Sequence, residues 1–197
     1  MFTDSLLFPR ENDTMSEATI YAPKPPEDEL TIPEFSSGRV IGIDQIDSIV
    51  LRQIADHWNG LRGYRAFPSR NDFKPVNLKR LLRHVTLLRV IDSGADYQFR
   101  VMGDVHVQAY GESFANLMLS DMGRQHPKFA EGLKIFYEGV RMGRQPIAYR
   151  GWIGRDMPET KYSFHEVIYL PLGDNDAVVD HIIVAGVYVG RGGFYIG

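Results

Sequence analysis

The histidines and carboxylates are the side chains of this chain best able to do chemistry, and their spacing decides which chemistry is open to them. The six histidines stand at 57, 84, 106, 126, 165 and 181. No two share the short separation that sets metal ligands on one helix face. His165-Glu166 begins like a zinc-protease motif, yet Tyr169 holds the place of the second histidine. Asp174, Asp176 and Asp180 point to calcium at first sight. A calcium loop starting at Asp174 needs glycine at its sixth place and glutamate at its twelfth, where this chain has Val179 and Ala185. A solvated hairpin turn is the simpler reading. Gly190-Arg191-Gly192-Gly193 has the glycines of a phosphate cradle without a following helix to lend amides and dipole. The absence of cysteine rules out disulfides, thiol nucleophiles, thiolate metal sites and flavin-thiol photochemistry. No Gly-x-Ser-x-Gly elbow presents a serine nucleophile.

Acid-base chemistry needs a carboxylate that faces a cavity with its pKa raised, and Glu166 and Asp104 are the candidates for an isomerase or lyase of that kind. Each reads more simply as a solvated or helix-capping residue. Between Arg62 and Arg89 lie eight basic residues and one acid, Asp72. The first reading of that run is the solvated side of two helices, with salt bridges to Asp44, Asp47 or the acidic N-terminal stretch. A protein-docking patch comes second. Contact with nucleic acid, the basis of an adaptor role, comes last, because the formal charge of the chain is -3 and aromatic interleaving is sparse.

The elements that must position these groups follow from periodicity. Tyr97, Phe99 and Val101 alternate with Gln98 and Arg100 as in a half-buried strand, which Gly103 breaks. Asp104 then caps a short helical turn that Gly111 ends. Before this strand, Val85 to Ile91 is apolar at nearly every position and reads as a central strand, joined to it by the turn at Asp92 to Asp96. Farther upstream, Asp44 caps an amphipathic helix carrying Ile46, Ile49, Val50, Ile54, Trp58 and Leu61, with Gly60 available to end it. Pro75 opens a second helix with Leu78, Leu81 and Leu82.

Downstream of Gly111, Phe114 to Met122 predicts short helices, and Pro127 opens a longer one carrying Phe129, Leu133, Phe136, Tyr137 and Val140, which Gly143 closes. Strands follow at 146–154, 162–172 and 178–190. Two strands, a helical block and three strands predict an α+β fold, an antiparallel sheet with helices over one face. The domain reading is an acidic, proline-containing flexible arm over 1–38, flanking helices over 39–84, a core over 85–192 and a tail over 193–197. Residues 1–34 hold eight acids against Arg10 and Lys24, net -6, so the remainder is +3. No apolar run approaches the roughly 20 residues of a membrane span, and a cytoplasmic protein that binds neither membrane nor nucleic acid is the expectation.

Taken together, Trp58 with Leu61-Arg62-Gly63, Pro68-x-Arg70, Pro75, Phe99-Arg100-x-x-Gly103, Gly111 and Leu170-Pro171-Leu172 resemble the PAS domain superfamily over about residues 45 to 190. More narrowly, they are similar to a divergent subfamily of short, often single-domain PAS proteins common in alphaproteobacteria. The resemblance implies five antiparallel strands cupping a small cavity, used for sensing or docking. Where the subfamily tends to carry Thr-Gly after Gly111, this chain has Ala115-Asn116, and asparagine tolerates the left-handed backbone of such a turn. The cavity-lining candidates are Phe99, Tyr110, Phe114, Phe129, Phe136 and Trp152, whose alternative is plain core filling. Some PAS domains hold haem through a histidine on the long helix; here His126 stands just before that helix, where a cap role is simpler. No cofactor or ligand is named by the sequence. Trp58, Arg62 and Arg70 are the partner-docking candidates. The chain leaves no length for an output domain, so the expected role is a non-enzymatic sensory or regulatory domain acting in trans on a signalling protein, such as a histidine kinase or another regulator, with a homodimer through the N-terminal helix as a further option.

Overall fold

A computed structural model of the chain describes residues 32–196. The acidic arm read over 1–38 lies mostly outside the described residues, but its last residues do not. Ser37–Ile41 form strand β1, an exposed edge strand paired antiparallel with β4, Ile147–Trp152. The expected five-stranded sheet is all present: β2 (Val85–Ile91), β3 (Asp96–Met102), β4, β5 (Tyr162–Leu172) and β6 (His181–Gly190). With β1 and a two-residue β7, Tyr195–Ile196, it becomes a seven-stranded antiparallel sheet in the order β1-β4-β5-β6-β2-β3, β7 pairing with β6.

The helical block between β3 and β4 covers one face of the sheet, and an N-terminal flanking helix covers the other. Every residue of β5 is buried, as are all but the ends of β6, which a sheet open on one side does not allow. On one face lie α2 (Asp104–Tyr110), α3 (Leu119–Gln125) and α4 (Pro127–Gly143). On the other lies α1, Ile49–Arg62, whose buried side is Val50, Leu51, Ile54, Ala55 and Trp58. The amphipathic pattern of α1 is therefore a core-facing pattern.

Two helix ends differ from the sequence reading. Ser48, not Asp44, caps α1, its hydroxyl accepting from the Leu51 N–H at 3.3 Å; Asp44 sits in a separate 3-10 turn, Ile43–Gln45. At the other end the helix runs through Gly60 and stops at Gly63, which takes φ 56°. The segment opened by Pro75 is a 3-10 run to His84, broken where Lys79 takes φ 47°, rather than an α-helix. By contrast α4 begins and ends where the sequence places it, with Arg144 in the left-handed region closing it. Gly111 ends α2 at φ 89°, and Asn116 does adopt the left-handed backbone, at φ 68°.

Candidate functional site

Alternation along β5 divides the site residues between the two faces. His165, Val167 and Tyr169 face α4, while Phe164, Glu166, Ile168 and Leu170 face α1. A register shift between Tyr162 and Phe164 returns Tyr162 to the α4 side, beside His165. Under α4 this leaves a cavity of about 160 Å³ lined by Tyr110, Phe129, Phe136, Tyr162, His165 and Tyr169, among others.

Of the six aromatic candidates, Tyr110, Phe129 and Phe136 meet in this cavity. Tyr110 meets Phe129 edge-on at 4.8 Å, and Phe136 stacks flat on Tyr169 at 5.0 Å. Phe99 and Phe114 do not line it; they pack on each other at 5.9 Å as core. Trp152 is on the opposite face, since its register partner is Phe164, whose ring lies 5.2 Å away. Tyr149, Tyr162, His165 and Tyr169 also line the cavity and are not among the candidates; the alternation His165-Val167-Tyr169 is the signal for two of them, His165 and Tyr169.

The buried histidines are the unusual chemistry of this face. His106 is fully buried; its Nε2–H donates to the His84 carbonyl at 2.8 Å, which leaves Nδ1 to accept from the Tyr188 hydroxyl at 3.2 Å. Burial holds its pKa down at about 4. His165 is buried as well and held lower still, at about 3, by desolvation. Its Nε2 has no hydrogen-bond partner among the described residues. Burial also pushes the Tyr110 hydroxyl up to about 12, and Tyr162, Tyr169 and Tyr188 upward. The cavity is thus walled by neutral rings.

The acid-base candidates are spoken for. Glu166 is wholly buried and faces away from the cavity; it pairs with Arg150 at 2.5 Å and accepts from the Ser48 and Asp47 N–H groups at 2.8 and 3.1 Å. Asp104 is half exposed at the start of α2, where the Arg83 guanidinium at 2.7 Å holds its pKa below the usual carboxylate range. A general acid needs the opposite shift. Asp174 and Asp176 do not converge on an ion site; they accept from the Ser69 hydroxyl and the Ala66 N–H, pinning the 63–74 loop to the β5–β6 turn. His126 stands between α3 and α4 as expected, its ring on Glu112 at 3.0 Å.

On the α1 face, Trp58 is buried, and its Nε1–H donates to the Pro171 carbonyl at 2.8 Å. Its ring edge and Arg62 line a groove of about 780 Å³, with Arg52, Asn59, Arg144 and Leu170. Arg62 sits over the Trp58 ring at 5.8 Å and donates to Asn59 and the Arg65 carbonyl. Arg70 is not at this groove; it donates to the Phe73 carbonyl at 3.1 Å and holds its own loop. Neither arginine pairs with a carboxylate among the described residues, whereas Arg65 and Arg83 in the same basic run pair with Asp72 and Asp104.

Against known proteins, a family model described as a PAS domain matches residues 46–182. No curated protein and no solved structure matches the chain.

Proposed function

The chain belongs to the PAS domain family, whose members are sensory and regulatory signalling domains, and from that premise we propose that it senses a small molecule in the cavity under α4 and passes the signal in trans to a second protein through the α1 face. The observation that carries the reading is His165, a buried imidazole on the wall of an aromatic cavity whose Nε2 has no hydrogen-bond partner among the described residues. Native structures leave few buried polar groups unpaired, and such a group calls for an explanation. A ligand supplies one.

β5 is the route by which occupancy reaches α1. His165 faces the cavity, and its chain neighbour Glu166 holds the N-cap of α1, Ser48, and the preceding Asp47 by their N–H groups. A displacement of β5 is therefore felt on both faces at once. A ligand drives this only by binding one arrangement better than the other. The role is non-enzymatic in this reading, because the two acid-base candidates, Glu166 and Asp104, are committed to Arg150 and Arg83. Its bacterial, cytoplasmic setting rests on the resemblance to short alphaproteobacterial PAS proteins; no helix among the described residues is long and apolar enough to cross a membrane.

A second reading, a docking module with a filled core, is favoured by the groove that Trp58 and Arg62 line. Native mass spectrometry against the denatured mass separates the two. Extra mass lost on denaturation supports sensing, and a clean apo mass supports docking.

A further inference from the structure

The walls of the cavity under α4 define the chemistry of what it can hold. Among the described residues, no aspartate, glutamate, lysine or arginine lines it. A charged ligand would give up its hydration and meet no opposite charge, so the occupant is neutral. The volume, about 160 Å³, matches a single ring, since an apolar cavity of about 150 Å³ accepts benzene. Phe136 and Tyr169 lie almost parallel, 2° apart, and Tyr149 meets Phe136 edge-on at 4.8 Å. These walls are rigid aromatic surfaces, and a flat guest gains stacking and edge contacts against them.

Among the residues that line the cavity, His165 alone has a buried side-chain nitrogen or oxygen without a partner. Held neutral by burial, its ring has one N–H and one lone pair. A hydroxyl donates and accepts, so it satisfies either tautomer. A bare hydrocarbon ring fills the space and leaves His165 unpaired, and a site built to hydrogen-bond a hydroxyl discriminates against the analogue that lacks it.

We infer that the cavity takes an uncharged single-ring aromatic alcohol, a ligand of the phenol class, seated with its hydroxyl against His165. This rests on the sensing reading and assigns its ligand chemistry. The imidazole is then a specificity determinant, since it selects a polar ring over an apolar one of the same size.

The test is a titration of the full chain and of His165→Phe with phenol, toluene and benzoate, followed by the imidazole nitrogen resonances and by calorimetry. Wild type is expected to bind phenol at least tenfold more tightly than toluene and to leave benzoate unbound. His165→Phe should lose that preference while still binding toluene. Equal affinity of wild type for phenol and toluene overturns the hydroxyl assignment but leaves a ligand cavity standing. Failure of both to bind overturns the assignment, and the native mass spectrum then judges the sensing reading separately. Should His165→Phe not fold, the wild-type His165 resonances decide: they shift with phenol, and resonances unmoved at saturating phenol overturn the inference.

Discussion

Replacing Arg150 by methionine isolates the ion pair that ties β4, β5 and α1 together. Glu166 is 0% exposed, and its oxygens accept from Arg150 at 2.5 and 3.0 Å and from the Ser48 and Asp47 N–H groups. Arg150 keeps 20% of its side chain exposed and reaches Asp47 at 2.7 Å and the Gln45 carbonyl at 2.9 Å. Without the guanidinium, a buried carboxylate remains with two peptide donors and no countercharge. Breaking a buried pair in this way costs about 3–5 kcal/mol, and the partial exposure of Arg150 sets R150M at the lower end, about 3 kcal/mol. At about 2–4 °C per kcal/mol for a domain of this size, Tm falls by about 6–12 °C. Glu166→Gln keeps the shape and one acceptor and leaves Arg150 its contacts with Asp47 and solvent, so it costs less, about 1–2 kcal/mol. The double variant R150M/E166Q is more stable than the sum of its parts, since no uncompensated charge remains. Urea denaturation followed by tryptophan fluorescence and far-ultraviolet circular dichroism measures all three. An R150M variant within about 0.5 kcal/mol of wild type, well below the cost of a broken buried pair, or an E166Q variant costlier than R150M, refutes the reasoning.

Trp58→Phe leaves the Pro171 carbonyl without its 2.8 Å donor and costs about 1–3 kcal/mol in urea unfolding. Gly103→Ala sets a Cβ at 2.2 Å from the Arg83 carbonyl oxygen and 2.9 Å from that of Val85, backbone that cannot give way, and destabilises by about 2 kcal/mol or more. In α1, a Cβ at Gly60 meets nothing within 4 Å, so Gly60→Ala gains about 0.5–1 kcal/mol in the same assay. His165 binds its proton at about 3 when folded and near 6.5 when unfolded. The unfolded chain therefore holds more protons between those values, and the stability this neutral residue contributes is complete above pH 6.5 and declines as pH falls toward 3. Between pH 7 and 5 the decline from this one residue is about 2 kcal/mol, and His165→Phe should show a pH 7 to 5 stability loss smaller by that amount.

Local patterns in the sequence located most elements, because the causes of those elements are local. Pro127 and the spacing of Phe129, Leu133, Tyr137 and Val140 define α4, and Gly103 and Gly111 bracket α2. What a period of two cannot say is which face of a sheet a residue takes. That depends on register with a partner strand, and the pairing of Trp152 with Phe164 sends Trp152 away from the cavity. The bulge at 162–164 is equally invisible, and it delivers Tyr162 to His165. The seat of the flanking helix α1 on the second face was hidden for a different reason. An amphipathic α1 fits a docking helix and a core helix alike, and the deciding signal was the unbroken apolar run of β6 from Ile182 to Val189, which asks for cover on both faces. Strand β1 left no trace, since four of its five residues are exposed and its pairing with β4 is set by the backbone. Ser48 and Asp44 are both good caps by residue type; tertiary contact with Glu166 through the Ser48 N–H distinguishes them.

Occupancy under α4, in the proposed function, is felt across the sheet at α1. The chain has two tryptophans, and the Trp58 indole N–H, bonded to Pro171 on β5, reports from the far face. A proton-nitrogen spectrum recorded while the cavity is saturated with phenol, or with whatever mass the native spectrum reveals, reads both sides at once. The Trp58 indole resonance and the Ser48 amide are expected to shift together with those of Tyr110 and His165. Shifts confined to the cavity wall, with Trp58 and Ser48 unmoved, would contradict this coupling.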